Sequence, residues 1–152
     1  LTMGTLEEAI KQKNFASEHV KANLNVLYTA NWLHNRISTF LRPYSLTHEQ
    51  FNTLRILRGS HPASMCQKDV LSRMIARNSN VTLIIKKLRV KKLVTVAQSD
   101  KDKREYKINI TKEGLSVLKE IDKLLEVQKD NINKLTFSEA FHLNALLDKI
   151  RN

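Results

Sequence analysis

Between Val81 and Ile110 the apolar residues of this chain change their spacing, and that change limits what the chain can fold into. Val81, Ile84, Ile85 and Leu88 fall at i, i+3, i+4 and i+7, one stripe of an α-helix. Tyr106, Ile108 and Ile110 instead alternate with Lys107 and Asn109, as on one face of a strand. The run Leu93-Val94-Thr95-Val96-Ala97 is also β-prone, and the charged octapeptide 98–105 separates it from the alternating run. The spacing therefore predicts a helix over Asn78–Lys91, with Ser79, Thr82, Lys86 and Arg89 opposite its apolar stripe and Asn78 and Asn80 at the N-terminal end where a side chain can cap or project, and then a β-hairpin with a basic tip. A preceding helix over Met65–Met74, carrying Val70, Leu71 and Met74, leads into it through Ile75-Ala76-Arg77. Two helices joined this way and followed by a hairpin form a winged helix-turn-helix.

Outside this segment the chain reads as helical, because only three Gly and two Pro interrupt 152 residues. Thr5 and Glu8 form a capping-box pattern, and Ile10, Val20, Leu24, Leu27, Ile37, Phe40 and Leu41 continue as one long helix, or two separated by a kink, up to Pro43. Tyr28, Trp32 and Leu33 widen its apolar surface beyond one stripe, so part of it is expected to face a second subunit. A box at Thr47 and Gln50 opens a helix with Phe51, Leu54 and Leu57, which Gly59 is expected to close. The start of the next helix is ambiguous between a box at Ser64 and Gln67 and a first turn at Cys66. Thr111 should cap a helix through Leu115, Leu118, Ile121, Leu125 and Ile132, and Thr136 with Glu139 a last one bearing Phe141, Leu143, Leu147 and Ile150. The expected class is mainly α with a small β-hairpin wing, an α+β arrangement in a single unit.

The charge is concentrated where the periodicity changes. Of the net +11, the 36 residues from Arg77 to Lys112 carry +8, from eleven Lys and Arg against three acids. An excess confined to one segment favours a polyanion, and nucleic acid leads over a membrane surface because the segment's apolar residues are committed to a core. A single cysteine excludes an intramolecular disulfide and a multi-thiolate zinc site. No run approaches the roughly 20 apolar residues of a membrane span, so a soluble, cytoplasmic protein is expected. The five histidines lack ligand spacing, and no phosphate loop or nucleophile elbow is present. The expectation is no metal, no cofactor and no enzyme.

Across essentially its whole length the chain resembles the MarR family of bacterial winged-helix transcription regulators. The resemblance rests on Val81-Thr82 before a basic helix end, Lys91-Lys92-Leu93-Val94, the wing signature Asp102-Lys103-Arg104, and Ile110-Thr111-Lys112-Glu113-Gly114. It implies an obligate homodimer held by residues 1–44 and 115–152, with residues 45–114 as the DNA-binding lobe, on a pseudo-palindromic operator. It also implies frequent release by a small ligand or by oxidation, and family analogy favours repression. Leu83, Lys92 and Val96 stand where the family usually has Arg, Gly and Arg. Readout is therefore expected either from Leu83 on a thymine methyl or from Asn80, Thr82 and Lys86, and Lys92 implies a different helix end or a strained one.

On this reading the partner is double-stranded DNA. Asn78, Ser79, Asn80, Thr82 and Lys86 face the major groove, Asn78 or Ser79 alternatively serving as the helix cap. Arg77 is counted with them. Gln67 and Lys68 anchor phosphates, and Arg104, oriented by Asp102 and assisted by Lys103, enters the minor groove. Tyr28, Trp32 and Phe40 are candidates for a pocket taking a small apolar or aromatic effector, against plain core packing. Cys66 is the candidate redox residue, although a lone thiol near a helix start is more often a filler or weak cap. The competing reading is a winged-helix module that binds RNA or an acidic protein.

Overall fold

A computed structural model of the chain describes residues 4–99, 105–128 and 134–152. The expected change of period is present. Helix α5 spans Val81–Val90, and strands β1 (Val94–Gln98) and β2 (Tyr106–Ile110) pair antiparallel, Val94 opposite Ile110 and Val96 opposite Ile108. All four stripe residues of α5 are buried, as are Val94, Ile108 and Ile110.

At the N-terminus, where one long helix or two separated by a kink are expected, there are two helices, α1 (Leu6–Ile10) and α2 (Glu18–Leu41). Thr5 and Glu8 complete the capping box of α1, but Lys11 turns left-handed at φ 54° and ends it. Ser17 then starts α2 afresh, its side chain accepting from the Val20 N–H at 3.2 Å. A Ser-Glu start signal thus breaks a run that holds neither Gly nor Pro. The Lys21–Glu7 ion pair at 2.5 Å ties the two helices together. As expected, α2 stops before Pro43, which lies in a 3-10 turn, Arg42–Tyr44.

Helix α3 (His48–Ser60) opens on the Thr47/Gln50 box and buries Phe51, Leu54 and Leu57. Gly59 does not cap it. The helix passes through Gly59 in ordinary right-handed geometry and ends at His61, φ −58° and ψ 136°. Pro62 is the cause, because its ring excludes the helical conformation from the residue before it.

Helix α4 is Gln67–Arg73, shorter than Met65–Met74. Met65 is withheld from it by the hairpin: the Met65 N–H donates to Ile108 O at 3.0 Å and the Ile108 N–H to Met65 O at 2.8 Å. Cys66 is the N-cap, without a side-chain cap bond, so the Ser64 box does not form. Helix α5 likewise starts three residues later than Asn78. Of the two asparagines expected to cap or project at this end, Asn80 is the N-cap and Asn78 is not, nor is Ser79, and Asn80 Oδ1 accepts from the Leu83 N–H at 3.1 Å.

Helix α6 (Lys112–Val127) is capped by Thr111, and its Leu118 and Ile121 sit against Leu41, Leu54, Leu57, Leu88 and Ile108 in the core. Each such side chain contributes on the order of 1.5–3 kcal/mol by burial. The expected extension of this helix to Ile132 falls outside the described residues. Helix α7 (Phe137–Arg151) has its Thr136/Glu139 capping box and buries none of its residues, leaving Phe137 and Phe141 89% and 64% exposed.

Candidate nucleic-acid interface

Burying the apolar stripe of α5 turns its other side outward, so Thr82, Leu83, Lys86, Lys87 and Arg89 are all exposed. Arg77 and Asn78, in the turn before it, are exposed as well, whereas Ser79 is half-buried with its hydroxyl donating to Ala76 O at 2.6 Å. Asn80 is exposed but accepts the Leu83 N–H, which leaves mainly its amide N–H groups for an outside partner. Lys68 is exposed at the start of α4. Its neighbour Gln67 is half-buried and its Oε1 accepts from the Thr82 hydroxyl at 3.0 Å.

The end of α5 joins the hairpin through one clamp. Lys92 is left-handed at φ 59°, its N–H donates to Arg89 O at 2.9 Å, and the Leu93 N–H donates to Leu88 O at 3.0 Å. Those two bonds make a Schellman motif, with Lys where glycine is usual. The helix end is therefore the ordinary one, held at a steric cost of about 1–2 kcal/mol in the left-handed residue. Thr111 completes the clamp: its N–H donates to Leu93 O at 3.0 Å, its hydroxyl donates to Lys92 O at 2.9 Å, and the same oxygen accepts from the Gly114 N–H at 3.0 Å. A Cβ on Gly114 would lie 2.4 Å from Leu93 O, so a side-chain-free residue is needed for α6 to approach this closely. Val96 is half-buried against the core and brings no charge to the hairpin.

The wing residues Asp102, Lys103 and Arg104 lie outside the described residues. Lys91, within the basic run, turns back to the body, where its Nζ donates to Ser45 O and, at 3.4 Å, to Gln50 Oε1. Lys87, which the sequence reading did not single out, lines an open cleft of about 370 Å³ between the start of α3 and α5, with Glu49, Asn78, Asn80 and Leu83. Its spacing of four from Leu83 was the available signal. The Glu49 carboxyl is held below its ordinary value, first by a backbone N–H and then by Thr47.

Tyr28, Trp32 and Phe40 are half-buried on α2, away from the lining of that cleft. The Arg36 guanidinium stands 5.6 Å from the Trp32 ring centre. Cys66 is a half-buried free thiol at the start of α4. The histidines looked scattered in sequence, but His34 of α2 and His48 of α3 stack with ring centres 3.6 Å apart, and Ser38 Oγ is 2.8 Å from His48 Nε2. Burial, and then the neighbouring His34, lower the pKa of His48. Among the described residues no three His, Cys, Asp or Glu gather to hold a metal ion, and no helix is long and apolar enough to cross a membrane.

No protein-family signature and no curated protein sequence matches the chain. Solved structures do. A MarR-like transcription regulator from Bacillus cereus is similar at 23% identity and TM-score 0.74, over 88% of this chain and 96% of that one. A cysteine-to-serine variant of MarR from E. coli, complexed with operator DNA, is similar at 19% identity and TM-score 0.77, over 91% and 99%. Bordetella bronchiseptica BpsR, whose DNA binding is described as regulated by 6-hydroxynicotinic acid, is similar at 21% identity and TM-score 0.66, over 84% and 99%. The fold of this chain is that of the MarR-type winged-helix regulators.

Proposed function

We propose that the chain is a transcription regulator of the MarR family that binds double-stranded DNA as a homodimer, with α5 in the major groove and the hairpin tip in the minor groove. The observation that carries this reading is the outer side of α5, where Thr82, Leu83, Lys86, Lys87 and Arg89 stand exposed beside a hairpin in the most basic part of the chain. A major groove admits one such helix, and a two-fold dimer sets two of them about 34 Å apart, one turn of DNA. The E. coli MarR structure on operator DNA has this fold, which supports the same use here.

The dimer is supported by α7, whose Phe137, Phe141, Leu146 and Ile150 are exposed, and by exposed Val20 and Leu27 on α2. Apolar residues exposed together along one helix mark an interface more often than a free surface. Residues 1–44 and 115–152 form the dimer in this reading, and 45–114 the reading lobe. Its output is repression, by exclusion of polymerase from an overlapping operator, in the reducing cytoplasm. A small apolar or aromatic effector releases the DNA, as the regulation of BpsR by 6-hydroxynicotinic acid makes reasonable. Its placement at Tyr28, Trp32 and Phe40 stays part of the proposal.

Selection of bound duplexes from a random pool, with sedimentation of the free protein, tests the whole. The expected result is a two-fold symmetric site with two half-sites, a dimer, and affinity that falls steeply with salt. A monomer, or indifference to duplex DNA with retained binding to structured RNA or an acidic protein, overturns it.

A further inference from the structure

Gln67 and Thr82 belong to different helices, and the hydrogen bond between them limits what each can offer a ligand. The Thr82 hydroxyl spends its only hydrogen on Gln67 Oε1 at 3.0 Å, so Thr82 Oγ1 keeps lone pairs alone. Gln67 has its carbonyl oxygen turned onto Thr82, with one of its two lone pairs engaged, and two amide N–H groups still to place. Leu83 adjoins them, 46% exposed, with its own N–H satisfied by Asn80. The Gln67 donors at the start of α4 therefore sit on Thr82, and the next residue of α5, Leu83, presents an exposed apolar surface that continues into the cleft toward α3.

We propose that Gln67 and Thr82 act as one bonded unit that reads a single base pair, with Leu83 covering an adjacent thymine methyl. Gln67 is then a specificity-determining residue and not a phosphate anchor. The inference rests on the DNA-binding reading given above. A glutamine with both amide atoms free suits adenine, which presents an acceptor and a donor in the major groove. With its carbonyl turned to Thr82, Gln67 suits an edge made of acceptors. Guanine, with O6 and N7, is that edge, whereas cytosine presents a donor that the two N–H groups repel. Leu83 supplies the apolar contact that distinguishes thymine, at the position where the family pattern has a cation.

The test uses the full chain, with Gln67→Met, Thr82→Val and the double variant, each nearly preserving side-chain shape. Duplexes are selected with the unsubstituted protein, and affinity is measured at one salt concentration for the preferred site and all its single-base variants. The unsubstituted protein should prefer guanine at one pair of each half-site. Each single substitution should erase the preference at that same pair and cost roughly tenfold in affinity, within the range of one base contact. The double variant should lose no more than either single one, because the bond makes them one unit. Unchanged melting temperatures establish that all three variants fold. A uniform loss on every duplex with the preference intact would make Gln67 a phosphate anchor and overturn the inference alone. So would effects on different base pairs, or effects that add. If the unsubstituted protein selects no duplex, the DNA-binding reading itself fails and carries this one with it.

Discussion

Replacing Gly114 with alanine adds a single methyl group, which would stand 2.4 Å from the carbonyl oxygen of Leu93 and 2.7 Å from Cγ1 of Ile110. Carbon and oxygen in close contact keep about 3.3 Å, so roughly 0.9 Å must be recovered by moving backbone. That backbone is not free: Leu93 O holds the Thr111 N–H at 3.0 Å, and Ile110 is buried in the core. Alanine in a helix is favoured over glycine by about 1 kcal/mol, which offsets part of the clash. Overpacking at a site without slack costs about 1–3 kcal/mol or more, and here the rigid partner is main chain, which puts the cost at the upper end. The net expectation is a loss of about 1–2 kcal/mol, a fall in Tm of roughly 2–8 °C for a chain of this size. Gly59→Ala is the matched control, since nothing lies within 4 Å of its added methyl and its backbone is already helical. It should raise stability by up to about 1 kcal/mol. Both are read by circular dichroism on heating, at one protein concentration because self-association of the kind proposed makes Tm depend on it. A Gly114→Ala variant as stable as the parent would refute the close approach of α6 to Leu93. A destabilised Gly59→Ala would return Gly59 to the role of a left-handed cap.

Lys92→Gly should stabilise the chain by up to about 1 kcal/mol, because relief of the left-handed strain exceeds the extra freedom glycine has when unfolded; a lower Tm contradicts this. The lowered pKa of His48 gives a pH dependence of definite sign: the folded state resists the proton that the unfolded state takes up near 6.5. The stability it contributes is present above that value and is lost as the pH falls below it. Melting curves between about pH 7.5 and pH 5.5 should therefore fall less steeply for His48→Gln than for the parent, and equal slopes would remove His48 from the account. Arg104→Ala should weaken binding to a selected site by about 1–3 kcal/mol with Tm unchanged, measured by titration at fixed salt; unchanged affinity removes Arg104 from the interface.

The parts of the fold that could be read from sequence are those set by periodicity and local capping. The stripe from Val81 to Leu88, the alternation from Tyr106 to Ile110 and the boxes at Thr5, Thr47 and Thr136 each need only near neighbours, and each is present. What the sequence reading missed depends on distant partners. Met65 has helical surroundings yet is taken by Ile108, 43 residues away. The His34–His48 stack and the Thr82–Gln67 bond join different helices and leave no spacing signature. Gly59 misled for another reason: it suited a cap, but Pro62 set the stop two residues later, at His61. The basic outer side of α5 was legible from the stripe it opposes. The choice of Asn80 over Asn78 and Ser79 as cap turns on where the first turn of α5 begins, which the preceding loop decides.

Because the last turn of α5, the base of β1 and the opening of α6 share the atoms of Lys92, Leu93 and Thr111, there is no knuckle between α5 and the base of the hairpin. The two strands are also stitched at Ile108 to the residues leading into α4. A push on the hairpin is therefore delivered to the whole lobe as torque. In the proposed dimer, a change in the distance between the two lobes would come from levering them as solid pieces on the long helices, since the end of α5 and the base of the hairpin share one set of bonds.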